Sequence, residues 1–181
     1  EKGYGDADAA FKAAHHVVSL TLSVGRHSGV PLETRGAIAR YDAKRGMLEM
    51  YGAAKVPHWN RDQLAIMPGR ERKSINLYQG HTGGGFGVRG ELYPEDVIAC
   101  YAALKLGRPV KWIEDRLEHL AASSASSERV TEIEGAFKRD GTLLALRLKQ
   151  TENVGAYLRP PEPAGLYRMH ATLNSAYKVQ H

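Results

Sequence analysis

Four of the five residues from Gly83 to Gly87 are glycine, Phe86 is the exception, and Arg89 stands two places beyond. Such a run loses much backbone entropy on folding. The chemistry that offsets this loss is close approach of backbone N–H groups to an anionic or bulky ligand. A helix opening at Pro94 would add the positive end of its dipole. The same run also reads as a tight turn packing backbone on backbone, and the residues leave both readings open. It is not a P-loop, because Gly-Lys-Ser/Thr is missing, and no βαβ unit with a following acidic residue makes it a dinucleotide fingerprint. Phe86 is either an aromatic plug against a flat ligand or, more simply, a core anchor for the loop.

Other chemistry-bearing types are scattered. Glu33 and Arg35 share a face of an extended segment at a spacing of two, and read as surface residues or an ion pair. His58 and His81 are lone histidines, which more often serve structure than ligation. His15 and His16 are adjacent on a strand, point to opposite faces and do not chelate one metal. Glu114 and Glu118, offset by Arg116, fit a solvated or interface helix face. Cys100 reads as a small buried residue.

The elements that must position these residues follow from periodicity. Val18, Leu20, Leu22 and Val24 alternate with polar or smaller residues, which predicts a strand with one buried face. Residues 36–42 and 47–53 form a hairpin around the polar turn 42–46. A short helix from Pro57 ends at Pro68-Gly69, and 74–78 is a short strand. Pro94, Glu95 and Asp96 open the clearest helix, which Gly107 stops. Val110–Ile113 is a strand, Glu114–Ala122 a short helical turn, and Asp140-Gly141 joins two alternating runs as a hairpin. The tail from Leu166 has no clear period. The expected fold is α+β: a mainly antiparallel or mixed sheet with helices on one face, in two layers. Residues 1–181 are expected as one partial domain with no clear internal boundary.

Composition bounds the function. The chain has 181 residues, 43% apolar and 25% charged. These are values of an ordinary globular protein. A net charge of +5 permits an anionic ligand without singling out nucleic acid, and no nucleic-acid partner is expected. One cysteine excludes internal disulfides and multi-cysteine zinc sites, and suits a cytoplasmic location. No apolar run reaches the roughly 20 residues of a membrane-spanning helix.

Five ordered segments carry a resemblance. Gly83-Gly84-Gly85-Phe86-Gly87 with Arg89 resembles the glycine loop of the molybdenum hydroxylases, the xanthine dehydrogenase, aldehyde oxidase and aerobic carbon monoxide dehydrogenase family. Pro31-Leu32-Glu33-Thr34-Arg35-Gly36, Lys55-Val56-Pro57-His58 and the segment Gly107–Leu120 are similar to further segments of its molybdopterin-binding large subunit. Gly155-Ala156-Tyr157 and Arg159-Pro160-Pro161-Glu162-Pro163 resemble one branch. The resemblance implies a pyranopterin cofactor carrying one molybdenum, expected in its cytosine dinucleotide form, and transfer of water-derived oxygen to a carbon centre. It also implies partners: the rest of the large subunit, an iron–sulfur subunit and an FAD subunit. Gly84, Gly85, Phe86 and Gly87 are the implied cofactor-binding residues, and no residue of the chain is an implied metal ligand. Lys55 stands where the family has a metal-proximal Gln, and offers a charged donor with no acceptor. Thr34 replaces the family's usual Pro. Glu91 stands one place later than the Glu of purine-oxidising members, which argues against a purine substrate, and the branch resembles the carbon monoxide dehydrogenase-like proteins more than purine dehydrogenases.

Neither the family's later metal-facing loop nor its glutamate base is matched. The chain is therefore expected to be a fragment, inactive in isolation, with no catalytic group of its own and without the cofactor. The alternative is a non-catalytic docking module or remnant that binds no cofactor. Open sheet edges make a second copy of the chain a further candidate partner.

Overall fold

The computed structural model describes residues 3–52, 56–157 and 177–181. Their contacts divide them into two compact units: Ser28–Ala125, and the residues on either side of that stretch. The class is α+β as expected, but the strands form two sheets instead of one.

In the Ser28–Ala125 unit, β2 (Gly36–Asp42) and β3 (Met47–Gly52) make the expected hairpin, with Ala39 opposite Met50. On the other edge of β2, β5 (Val110–Ile113) pairs antiparallel, while β4 (Ile75–Tyr78) pairs parallel with β3. The sheet is therefore mixed, in the order β4-β3-β2-β5. Helix α2 (Pro57–Ile66) packs against β4, and α3 (Pro94–Leu106) packs across β2, β3 and β5. The alternation of β2 puts Ala37 and Ala39 inward, in one core with Ala99, Cys100 and Ala103 of α3. Small residues on both surfaces let helix and sheet approach closely, and Leu48, Leu64 and Ile75 fill the rest of the core. Gly107 ends α3 at φ +60°, the left-handed cap its position predicts. Helix α4 (Arg116–Ala122) starts at Asp115, whose carboxylate accepts from the Glu118 N–H at 2.8 Å.

The other unit is a three-stranded antiparallel sheet, β1 (His16–Val24), β6 (Glu128–Phe137) and β7 (Leu143–Asn153), in the order β1-β6-β7. The predicted Asp140-Gly141 turn joins β6 to β7. Helix α1 (Ala7–Ala13) packs Ala10 on Ala136 and Ala145. The sequence reading did not anticipate α1, which Asp6 caps by accepting from the Ala9 N–H at 2.9 Å.

The burial expected of β1 is also corrected. Strand β1 has no buried face: every position is exposed, Leu20 at 55%. It is an edge strand, and the only helix of its unit among the described residues packs on Ala136 and Ala145 of the other two strands. No helix among the described residues is long and apolar enough to cross a membrane.

Candidate functional site

The glycine loop is held at both ends by Glu33. The Gly83 N–H donates to Glu33 Oε2 at 2.6 Å, and the Glu33 N–H donates back to Gly83 O at 3.2 Å. At the far end, Arg89 Nη1 lies 3.3 Å from Glu33 Oε2, and Arg89 Nη2 donates to the carbonyls of Glu33 and Thr34. Arg89 is only 3% exposed, so its charge is balanced inside the protein. The loop then closes as a short 3-10 turn, with Val88 N–H on Gly85 O at 2.9 Å and Gly90 N–H on Gly87 O at 3.0 Å. Tyr93 Oη donates to Val88 O at 2.7 Å and anchors the turn from the start of α3.

Between these anchors Phe86 and Gly87 are exposed, and Gly84 and Gly85 are half-buried. Gly84 and Gly87 sit at φ +100° and +92°, conformations open to glycine. Among the described residues, no acceptor takes the N–H groups of Gly84, Gly85, Phe86 or Gly87. A Cβ placed on Gly85 meets only Arg89 carbons, at 3.9 Å. Phe86 is itself left-handed, at φ +48°, and 78% exposed. The core-anchor reading of Phe86 is overturned: its ring is displayed. A left-handed non-glycine residue stores strain at the loop tip.

The displayed loop rests on a buried charge network. Glu114, 1% exposed, accepts from the Arg35 N–H at 3.0 Å and Arg35 Nε at 2.9 Å, and also from Arg35 Nη2. The fully buried His119 places Nδ1 2.8 Å from Glu114 Oε2 and Nε2 3.3 Å from Gly29 O. Gly29 lies under the loop, where a Cβ would stand 3.0 Å from that of Phe86. Arg35 Nη1 reaches Glu95 at 3.2 Å, and the guanidinium stacks 3.7 Å from the Tyr93 ring centroid. Burial raises the Glu114 carboxyl, but hydrogen bonds from Arg35 and His119 outweigh it and hold the group below its ordinary value. Burial likewise opposes the Arg35 charge, yet Glu114 holds its pKa above the usual arginine value. Arg116 Nη2 donates to Pro31 O at 2.8 Å and Leu32 O at 2.9 Å.

Three of the five segments singled out in the sequence therefore meet: 31–36, 83–89 and 107–120. The ion-pair reading of Glu33 with Arg35 is corrected, because each takes a different partner. Arg35 and Glu114 are also not surface residues, since both are buried. His15 and His16 bring their rings 4.3 Å apart, closer than opposite strand faces allow, because β1 begins only at His16. Among the described residues, no group of three His, Cys, Asp or Glu side chains is placed to hold a metal. His58 and His81 are exposed, and Cys100 is buried as expected. Lys55 and the Arg159–Pro163 segment lie outside the described residues. Sequence reasoning missed the Arg35–Glu114–His119 network, whose signal was that all three residues fall within the matched segments.

The loop fits an anionic, oxygen-rich cofactor: it combines open N–H donors, an unobstructed Gly85 and a rigid base, and adds no competing charge at its tip. Comparison with known proteins identifies the family. The family model for the molybdopterin cofactor-binding domain matches residues 1–181. The chain is 39% identical over 163 residues to the 6-hydroxypseudooxynicotine dehydrogenase complex subunit gamma of Paenarthrobacter nicotinovorans, covering 90% of the chain and 20% of the relative. It is 33% identical over 174 residues to the carbon monoxide dehydrogenase large chain of Hydrogenophaga pseudoflava, covering 92% of the chain and 22% of the relative. Among solved structures, quinoline 2-oxidoreductase from Pseudomonas putida 86 superposes with a TM-score of 0.87 at 32% identity, covering 96% of the chain and 22% of that protein. The chain thus spans about a fifth of the length of the relatives it matches.

Proposed function

The chain belongs to the molybdopterin cofactor-binding domain family, and we propose that it forms one wall of the molybdenum site in a carbon-hydroxylating oxidoreductase. The observation that carries this is the glycine loop, with four consecutive N–H groups open and both ends fixed by Glu33. When bound, the cofactor supplies a molybdenum centre able to transfer water-derived oxygen to carbon. Gly84, Gly85, Phe86 and Gly87 would hold it, their N–H groups donating to its oxygen ligands. Glu33 and Arg89 keep those donors aimed, and the exposed Phe86 ring bounds the pocket and limits water.

The finer assignments belong to the same proposal. The branch resembles carbon monoxide dehydrogenases in its glycine-loop sequence, and the 33% identity to such a large chain supports that. Relatives named for quinoline and for a nicotine derivative equally support hydroxylation of a nitrogen-containing aromatic substrate. The cofactor is proposed to carry cytosine dinucleotide. The partners are the rest of a large subunit, an iron–sulfur subunit and an FAD subunit, all in the cytoplasm. The isolated chain is proposed to be inactive and free of cofactor, because a glycine loop alone supplies one side of a site. A second reading, a docking module without cofactor, draws on the exposed apolar residues of β1.

The test is molybdenum content by mass spectrometry of the protein captured from its native source, beside a Gly85→Ala variant. A Cβ at Gly85 fits the fold, so Gly85→Ala is expected to fold normally yet lose most bound molybdenum. A molybdenum-free wild type, in cells that load their other molybdoenzymes, would favour the docking reading.

A further inference from the structure

Beside the closing turn of the glycine loop lies a small cavity of about 20 Å³, lined by Arg35, Asn60, Arg89, Tyr93 and Asp96 among others. Two polar atoms buried at its lining residues have no hydrogen-bond partner among the described residues. One is Asn60 Oδ1, an acceptor on α2. The other is Arg89 Nε, a donor whose two Nη atoms are already committed to Glu33 and Thr34. Both residues are 3% exposed, so bulk solvent does not satisfy either atom. Native proteins rarely leave such groups unpaired.

We propose that this cavity binds one ordered water molecule, which donates to Asn60 Oδ1 and accepts from Arg89 Nε. The volume decides the ligand: one water needs roughly 10–15 Å³, while a phosphate or carboxylate needs several times that. The polarity agrees, since one orphan is a donor and the other an acceptor, and Asp96, a further acceptor residue, lines the same cavity. The water ties α2 to the arginine that fixes the glycine loop. A hydrogen-bonded bridge thus sets the spacing between the helix that follows the Lys55 segment and the loop itself. This inference does not depend on the molybdenum reading.

Three measurements on the 181-residue chain test it. A high-resolution crystal structure is expected to show one density peak within hydrogen-bond distance of both atoms. Magnetic relaxation dispersion, which counts long-lived internal waters, is expected to find one fewer in Asn60→Leu and an unchanged number in Asn60→Asp, which keeps the acceptor. Amide exchange at Val88 and Gly90 is expected to quicken several-fold in Asn60→Leu alone. A dry cavity, a direct Asn60–Arg89 bond, or an unchanged water count in Asn60→Leu would overturn the proposal. If Asn60→Leu does not fold, the wild-type density decides by itself.

Discussion

Glu114→Ala removes the centre of the network beneath the loop. Glu114 is 1% exposed and takes three hydrogen bonds from Arg35 and a contact from His119 at 2.8 Å. The variant leaves a 6%-exposed guanidinium with Glu95 as its remaining ion-pair partner among the described residues, and a fully buried imidazole facing an empty space. Breaking a buried pair from one side costs about 3–5 kcal/mol, against roughly 5–15 kcal/mol for a whole domain. For a chain of this length that is a fall in Tm of about 6–20 °C. Glu114→Gln, which keeps the shape and one acceptor oxygen, is expected to lose about half as much. In a urea-denaturation cycle with Arg35→Met, the double variant should be less destabilised than the sum of the singles by about 2 kcal/mol. The sign with pH follows from the lowered folded-state pKa of Glu114. Its stabilisation is present above the unfolded carboxyl value of about 4.3 and is lost as pH falls through the lower folded value. The gap between wild type and Glu114→Ala should therefore close on acidification. A Glu114→Ala variant within about 0.5 kcal/mol of wild type, or strictly additive singles, would refute the reasoning.

Two further outcomes are expected. Gly29→Ala sets a Cβ 3.0 Å from that of Phe86 and 3.2 Å from Val88 Cγ2. Such crowding should cost about 1–3 kcal/mol and shift the Phe86 ring resonances. Burial lifts the Asp96 carboxyl to about 6, against the lowering effect of the Tyr93 N–H and Arg35. The folded chain then holds a proton that the unfolded chain has already released, so wild-type stability should fall between about pH 4 and 6, by at most ~3 kcal/mol. Asp96→Asn cannot ionise and still offers an oxygen to Tyr93, so urea titrations should show it flat across that window and more stable than wild type at neutral pH.

The sequence was most legible where local rules act alone. Helix α3 could be read because Pro94, two acids and Gly107 each occupy the end they favour. The hairpin β2–β3 and the turn at Asp140-Gly141 were readable for the same reason. The network under the loop was not, because its bonds span distant segments: Arg35 and Glu114 are 79 residues apart. Glu114 looked like the first turn of a helix, but α4 begins at Arg116, which leaves Glu114 at the end of β5, facing inward. Alternation marked β1 correctly as a strand and misjudged its burial, since period two says which residues share a face and not what covers it. Phe86 was misjudged similarly: an aromatic among glycines suggests a core anchor, and only its 78% exposure in the folded chain shows that the ring is displayed.

The discontinuous sheet has a consequence for how the chain is made. Strand β1 leaves a ribosome well before its partner β6, with His16 opposite Phe137. The whole Ser28–Ala125 unit is synthesised in between. At ordinary translation rates, roughly 100 residues take about 5–20 s, long enough for that unit to fold while β1 waits unpaired. During that interval Val18, Leu20, Leu22 and Val24 form an apolar row on an open strand, the kind of segment that invites intermolecular pairing. Order of synthesis and order of pairing are thus opposed at this strand, and production of the chain should depend on holding chaperones more than its size alone would suggest.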